Sequence, residues 1–329
     1  MPYRILLLSL MFTAAPSLVH GNSQSALDPQ GENAQAIAEI AWVLFTGGGV
    51  IFAIVLLFLG IALFGVPTWR SALGRRELII GGGVVFPVVA LSALLVYTFS
   101  SRAVGKDARE ATVRIEVTGE LWWWRVRYLD QAGNALAETA NEIRIPAGNP
   151  VDLLLTSRDV IHSFWVPNLA GKLDMLPGHV NRLRLFADAP GVFRGQCAEY
   201  CGAQHAKMAF HVLAETPDSF AAWLEIQKQS APEPAEPLLL KGRQLFLDNR
   251  CGQCHAIRGT PADGTLGPDL THLGSRISLA AGIVPNNPGT LAAWITGAQS
   301  LKPGSRMPSF RQFSSDDLSA LTAYLESLR

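Results

Sequence analysis

An excess of charge of either sign is missing from this chain. Twenty-seven Lys and Arg balance 27 Asp and Glu, for a formal net charge of zero. Composition therefore gives no support to a general polyanion binder, nucleic acid included. Cysteine is scarce, with four residues in 329. There is no second C-x-x-C to complete a zinc ribbon, and no βαβ pattern that would make the existing one a thioredoxin-like dithiol. Charge is absent altogether from two long stretches, Ile40 to Phe64 and Leu78 to Phe99. What is plentiful is apolar side chain, 49% of the residues, and that excess gathers near the N-terminus.

The opening "MPYRILLLSLMFTAAPSLVHG" has one early cation, Arg4, followed by a short apolar run. It reads as a secretory signal over residues 1–22, cleaved near His20 to Ser25. The two uncharged stretches, about 40–64 and 78–99, are each long enough to cross a bilayer. They define a hairpin within residues 23–105. The connection "GVPTWRSALGRRE" carries Arg70, Arg75 and Arg76. Positive loops stay in the cytoplasm, so the remainder of the chain is expected outside a bacterial-type plasma membrane. Such a compartment permits disulfides and exported cofactors. The Gly47–Gly49 and Gly81–Gly83 triplets read as close-packing surfaces for membrane helices rather than phosphate cradles. Pro87 is tolerable within a span. Glu77 reads as a solvated charge at the inner interface.

From Thr112 the periodicity becomes two. Segments such as "TVRIEVTGE", "NEIRIPAG" and "AFHVLAE" alternate between turn residues, and helical spacing returns only at Ser219 to Gln227. Residues 106–227 therefore form an all-β sandwich or barrel. Strands flank "CAEYCGAQHAKM", Cys197 to Met208, so this ligand-rich segment is a loop. His162 comes from a separate loop that can converge on it. A Cys197–Cys201 disulfide is one reading. Closed Cys2His2 zinc is a second. Copper is favoured, because the thioether of Met208 adds nothing to zinc, and two cysteines of one loop can bridge two copper ions.

These residues resemble cytochrome c oxidase subunit II, whose dinuclear copper centre is termed CuA. The family loop, C-x-E-x-C-x-x-x-H-x-x-M after a distant histidine, is matched by Cys197, Glu199, Cys201, His205, Met208 and His162. The resemblance covers roughly Ile40 to Glu215 and implies a cupredoxin-like domain. It implies Cys197 and Cys201 as bridging ligands, and His162 and Met208 as ligands to one or other ion. Glu199 would offer its carbonyl to copper and its carboxylate to magnesium at the boundary with subunit I. "ELWWWRVRY" is similar to the family's aromatic stretch and puts Trp122 where electrons arrive, although Leu121 replaces the usual Gln. Asp174 matches a position near the subunit I boundary.

"KQSAPEPAEP", Lys228 to Pro237, reads as a semi-rigid spacer. Beyond it, residues 238–329 are helical in pattern. An amphipathic stretch runs into "CGQCH", the signal for covalent c-type haem attachment. Cys251 and Cys254 would form the thioethers, with His255 as the proximal iron ligand. Met307 is the only methionine after Met208, and a thioether would raise the iron potential. "LKPGSRMPSF" and "GPDL" resemble the class I cytochrome c family, which implies Met307 as distal ligand and the Pro268 carbonyl as support for His255. His272 is the rival sixth ligand.

Together the two resemblances imply a caa3-type arrangement: an electron-relay subunit of a haem–copper terminal oxidase, with oxygen reduced in subunit I. Subunits I and III and the membrane are the implied partners. A soluble cytochrome c or a quinol:cytochrome c oxidoreductase would be the donor. The rivals are a quinol oxidase-type subunit II, which would lack the copper ligands, and an exported scaffold holding two disulfides.

Overall fold

A computed structural model of the chain describes residues 24–100 and 110–329. The expected signal segment, and the junction expected at residue 105, lie outside the described residues. Helix α1 (Glu32–Phe64) is followed by the short α2 (Pro67–Leu73) and by a second long helix from Arg76 to Ser100. That second helix comprises α3 (Arg76–Ile80), a π-helical turn (Gly81–Val85) and α4 (Phe86–Ser100). With 33 and 25 residues, the two long helices extend about 50 Å and 38 Å at ~1.5 Å per residue. Both exceed the roughly 30 Å hydrocarbon core of a bilayer. Their apolar side chains are exposed, which excludes a core helix of a soluble domain.

The first span starts earlier than its uncharged stretch predicts, and packing explains the difference. Ala34 and Ala36 are buried, Asn33 donates to the Arg184 carbonyl at 3.0 Å, and Gln35 donates to Asp188 at 2.7 Å. The first turns of α1 are thus docked on the β domain. The π turn spans Gly83, the residue whose carbonyl loses its helical donor at Pro87. A Cβ placed on any glycine of the two triplets would meet nothing within 4 Å. Within this chain those narrow faces are uncovered.

The β domain is two five-stranded sheets face to face. One has the order β3 (Ala135–Ala140), β2 (Trp123–Leu129), β1 (Val113–Glu120), β5 (Val151–Ser157), β8 (Asn181–Leu185). The other runs β4 (Glu142–Pro146), β10 (Ala209–Glu215), β9 (Gly191–Cys197), β6 (His162–Trp165), β7 (Leu173–Met175). Two pairs, β1 with β5 and β4 with β10, are parallel and the rest antiparallel. Alternating apolar residues from both inner faces make the core, including Ile115, Val117, Val126, Leu153, Leu155, Phe164 and Phe210. Helix α5 (Pro217–Gln227), capped by Thr216, closes the domain with Phe220 and Trp223 against Tyr128.

The C-terminal domain packs α6 (Pro237–Asp248), α7 (Pro288–Leu301) and α8 (Ser315–Ser327) around Phe246, Ile257, Leu291, Ile295, Leu321 and Leu325, with a small two-stranded ribbon, β11 (Ser278–Leu279) and β12 (Val284–Pro285). Helices α6 and α8 cross so closely that a Cβ at Gly242 would lie 2.1 Å from the Ala320 carbonyl oxygen. The Pro-rich spacer is bound to this domain rather than free. Ala231 donates to the Arg258 carbonyl at 2.9 Å, and the Arg258 guanidinium reaches the Gln227 and Lys228 carbonyls.

Candidate metal and haem sites

Strand β9 ends at Cys197 and β10 begins one residue after Met208, so the loop between them closes one end of the sandwich. It is held shut by its own backbone: Cys197 N–H donates to the Met208 carbonyl at 2.9 Å, and Ala198 N–H to Ser163 at 3.0 Å. His162 opens β6, two residues before the Phe164–Cys197 pair. The fold therefore delivers His162 to the loop through strand pairing.

The donors meet. Sγ of Cys197 lies 3.8 Å from Sγ of Cys201 and 3.9 Å from Nδ1 of His162. Cys201 Sγ is 3.6 Å from Nδ1 of His205 and 3.8 Å from the Met208 thioether. Both thiols are free, and their separation is far beyond the ~2.05 Å of a disulfide. His162, Cys197 and Cys201 are all buried, with ligand atoms within 4.8 Å of one another. Two soft sulfurs, two imidazoles and a thioether, all but the His205 ring buried, fit copper.

Electrostatics favour a charged site. Hydrogen bonding from Cys201, working against burial and aided by His162, pulls the Cys197 thiol far below its ordinary value. That of Cys201 is driven up by the same neighbour and by burial, so the pair gives up one proton readily and the second with difficulty. Burial opposes charge on His162, yet Asp159 and Cys197 outweigh it and raise its pKa. Asp159, which the sequence did not single out, holds His162 Nε2 at 2.9 Å and turns Nδ1 toward the sulfurs. Burial would raise the Asp159 carboxyl, but hydrogen bonds from His162, Leu121 and Val160 hold it below the usual range. Gly119 on β1 completes the cradle: a Cβ there would sit 2.6 Å from the His162 ring.

Glu199 turns its carbonyl inward, 3.2 Å from Cys197 Sγ, while its carboxylate is near the Tyr200 amide and Lys172. Trp122 lies against the loop: its indole N–H donates to the Cys201 carbonyl at 2.9 Å. Gly202, at φ +107°, would bring a Cβ 3.3 Å from the same ring. Asp174 sits on β7, where its carbonyl accepts from Asn181. Trp124 is core, packed edge-on against Phe210 and Phe164.

In the helical domain Cys251, Cys254 and His255 follow α6 on a tight turn, with both thiols free. His255 Nδ1 is 2.8 Å from the Pro268 carbonyl, which fixes the tautomer and leaves Nε2 as the ligand atom. Burial lowers the pKa of this imidazole, aiding the neutral form that binds metal. Gly267 must be glycine, since a Cβ would fall 2.6 Å from the His255 ring. Met307 packs on the domain core, and Gln299 donates to its carbonyl at 2.7 Å. The ring of His272 faces the Gln229 carbonyl of the spacer at 3.2 Å, which gives it a structural partner. Arg276 is buried; among the described residues its Nε has no hydrogen-bond partner, and a terminal nitrogen donates to the Asp269 carbonyl. A buried guanidinium without a bonded carboxylate fits an anionic group such as a haem propionate. It too was not singled out in the sequence.

The cytochrome c oxidase subunit II periplasmic-domain family matches residues 124–215, and the cytochrome c family matches residues 239–329. Cytochrome c oxidase subunit 2 of Alkalihalophilus pseudofirmus is 36% identical over 347 residues, covering 99% of this chain and 97% of that protein. The chain belongs to the cytochrome c oxidase subunit 2 family. The subunit 2 of Bacillus sp. strain PS3 is 32% identical across 74% of this chain and 72% of that protein. The crystallised periplasmic domain of subunit II from Bradyrhizobium japonicum is 30% identical, with a TM-score of 0.35, and covers 37% of this chain and 97% of that one. Membership makes this a membrane-anchored oxidase subunit that associates with subunit I, with copper and haem c as its implied cofactors.

Proposed function

We propose that this subunit receives electrons at a haem c held by its C-terminal domain and passes them through a dinuclear copper centre to subunit I, where oxygen is reduced. The observation that carries the reading is the meeting of His162, Cys197 and Cys201 at one buried point, with His205 and Met208 each against the Cys201 sulfur. When bound, the copper pair and the haem iron supply reversible one-electron chemistry. The protein's part is to hold and screen them. Cys197, Cys201, His162 and His205 would hold the copper pair, with Met208 and the Glu199 carbonyl as weaker donors beside them. The strand ends below allow little movement, which would keep reorganisation small. Cys251 and Cys254 would anchor the haem covalently, and His255 and Met307 would be the residues that hold its iron. The Glu199 carboxylate, half-exposed beside Lys172, is the candidate magnesium ligand facing subunit I.

The uncovered glycine faces of both spans suit close approach by helices of subunit I. Arg70, Arg75 and Arg76 put the hairpin turn in the cytoplasm, and so both redox domains outside. A soluble cytochrome c or a quinol:cytochrome c oxidoreductase delivers electrons to the haem domain. The quinol oxidase reading loses support because the copper donors are present and assembled. The disulfide scaffold loses support because all four thiols are free. The assembled oxidase should show a multi-line electron resonance spectrum from a mixed-valence copper pair, a c-type haemochrome, and oxidation of a small reductant with no soluble cytochrome c added. A single-copper spectrum, or inactivity until soluble cytochrome c is supplied, would count against it.

A further inference from the structure

The two exported domains are in contact over the face that carries the copper loop. Arg125 reaches the Thr265 carbonyl at 2.7 Å, Ile277 N–H donates to Glu142 at 2.9 Å, and Ala209 N–H donates to the Ala281 carbonyl at 3.0 Å. At one end of this interface lies Lys302, directly after α7 and only 4% exposed. Lysine is almost never buried so deeply without a paired acid. Its ammonium donates to the Trp122 carbonyl at 2.6 Å and to the Ala280 carbonyl at 3.2 Å. Among the described residues it forms no ion pair. Burial drives its pKa down to about 7, against a smaller opposing pull from Cys201.

What Lys302 joins is specific. Trp122 belongs to the copper domain and is itself bonded to Cys201. Lys302 stands five residues before Met307 on the loop that carries the distal haem ligand. Residues inside the copper loop grip the same segment: Gln204 donates to the Pro303 carbonyl at 2.7 Å and Lys207 to that of Leu301 at 2.6 Å. A Cβ on Gly304, at φ +81°, would lie 3.8 Å from the outer edge of the Trp122 ring. Gln299 ties the segment together by donating to the Ser305 and Met307 carbonyls. The Met307 loop, Trp122 and the copper loop are thus one hydrogen-bonded assembly, and Lys302 is its buried centre.

We propose that Lys302 is a positioning residue for transfer between the two centres: by joining Trp122 to the Met307 loop it keeps the haem domain seated on the copper loop. The centres then face each other in a standing arrangement, not through a tethered search. This rests on the relay reading above. A corollary is that Trp122 is covered by this chain's own haem domain, so a soluble donor must deliver to the haem and not to Trp122.

The test uses the intact, metal-loaded oxidase and its Lys302→Met variant, which keeps side-chain length and removes the donor. An added photoreductant, excited by a light pulse and itself oxidised by one electron, reduces the haem; that electron then leaves the haem and the copper pair gains it. In the wild type that rate should not change with added glycerol. In the variant it should fall about tenfold to a hundredfold and become viscosity-dependent, with the haem potential and copper spectrum unchanged. Amide hydrogen exchange should be slow at residues 119–123 and 301–307 in the wild type and faster in the variant. A variant equal to the wild type in rate and exchange would overturn the assignment. So would a wild-type rate that falls with viscosity, a measurement that needs no variant to fold. If the wild-type haem never passes its electron to copper, the relay reading itself fails; if it does and the variant matches it, only the role of Lys302 fails.

Discussion

In the copper domain, donors from neighbouring strands of one sheet and the loop that joins two of them lie 3.6–3.9 Å from a neighbouring donor. In the haem domain Cys251, Cys254 and His255 fall within five residues, and Met307 comes from a loop far along the chain. Each haem donor is tied to its own surroundings, His255 to Pro268 and the Met307 backbone to Gln299. The contrast follows from the size of what is held. A metal ion is smaller than the side chains around it, so its ligands must already be in mutual contact. A macrocycle needs room between its ligands, so they are secured separately, each by its own neighbours. Sheet ends, which cannot slide without breaking register, suit the first task. A helix turn plus a long loop suits the second.

The largest test of this contrast is Cys201→Ser. Partners one shell further out are worth about 10–100-fold in metal affinity, so loss of a thiolate that touches three other donors should exceed that. Turnover should fall by more than about a hundredfold, and the paired-copper resonance should vanish. The haem spectrum and potential should be unaltered, because among the described residues no hydrogen bond joins the side chain of Cys251, Cys254, His255 or Met307 to the loop from Cys197 to Met208. Optical titration of the purified oxidase reads both centres at once. A simultaneous shift of the haem potential would mean that the two sites are not independently held.

A smaller effect is expected at Asp159, which acts through His162. Asp159→Asn keeps the size of the side chain and its contact with Nε2, but removes the charge that favours the required ring orientation. Copper affinity should drop about tenfold to a hundredfold, measured by competition with a chelator, while the sandwich stays folded. An unchanged affinity would show that sheet geometry alone orients the imidazole.

Asp159 also shows where the sequence stops being legible. The loop from Cys197 to Met208 is readable because its donors are close in the chain and their spacing is itself the motif. The C-x-x-C-H turn is readable for the same reason. Asp159, Gly119 and Lys302 have no local signal. Gly119 meets the copper site only because β1 lies parallel to β5 with Gly119 opposite Ser157, a pairing that no local pattern announces. Lys302 looks like any lysine before a Pro-Gly turn until Trp122, 180 positions earlier, is folded against it. The spacer "KQSAPEPAEP" has the composition of a free linker, yet its partners Arg258 and His272 come from beyond the haem-attachment turn. Helix α7 carries a weak pattern because Gly297 interrupts it at a non-helical φ of −131°. The first turns of α1 are polar and so fall outside the hydropathy signal, although tertiary packing makes them helix.

The smallest effects should come from two glycines, and their difference sharpens the contrast between the domains. Gly119→Ala would put a methyl 2.6 Å from the His162 ring, and Gly242→Ala would put one 2.1 Å from the Ala320 carbonyl oxygen. Overpacking of this kind costs about 1–3 kcal/mol, so both variants should lower the thermal midpoint of the subunit by similar amounts. Their spectroscopic consequences should diverge. At Gly119 the atom that must yield belongs to the ring of His162, the proposed copper ligand, and the ring would retreat by moving Nδ1 away from Cys197. The copper resonance should therefore broaden or split along with the loss of stability. At Gly242 the atom that must yield is helix backbone, remote in sequence from every haem donor. There α6 and α8 should separate slightly, with haem potential and axial ligation preserved. If Gly119→Ala left the copper resonance untouched, the histidine would have slack that a sheet-built site does not allow, and the copper centre would resemble the haem site in being held loosely and shaped by its guest.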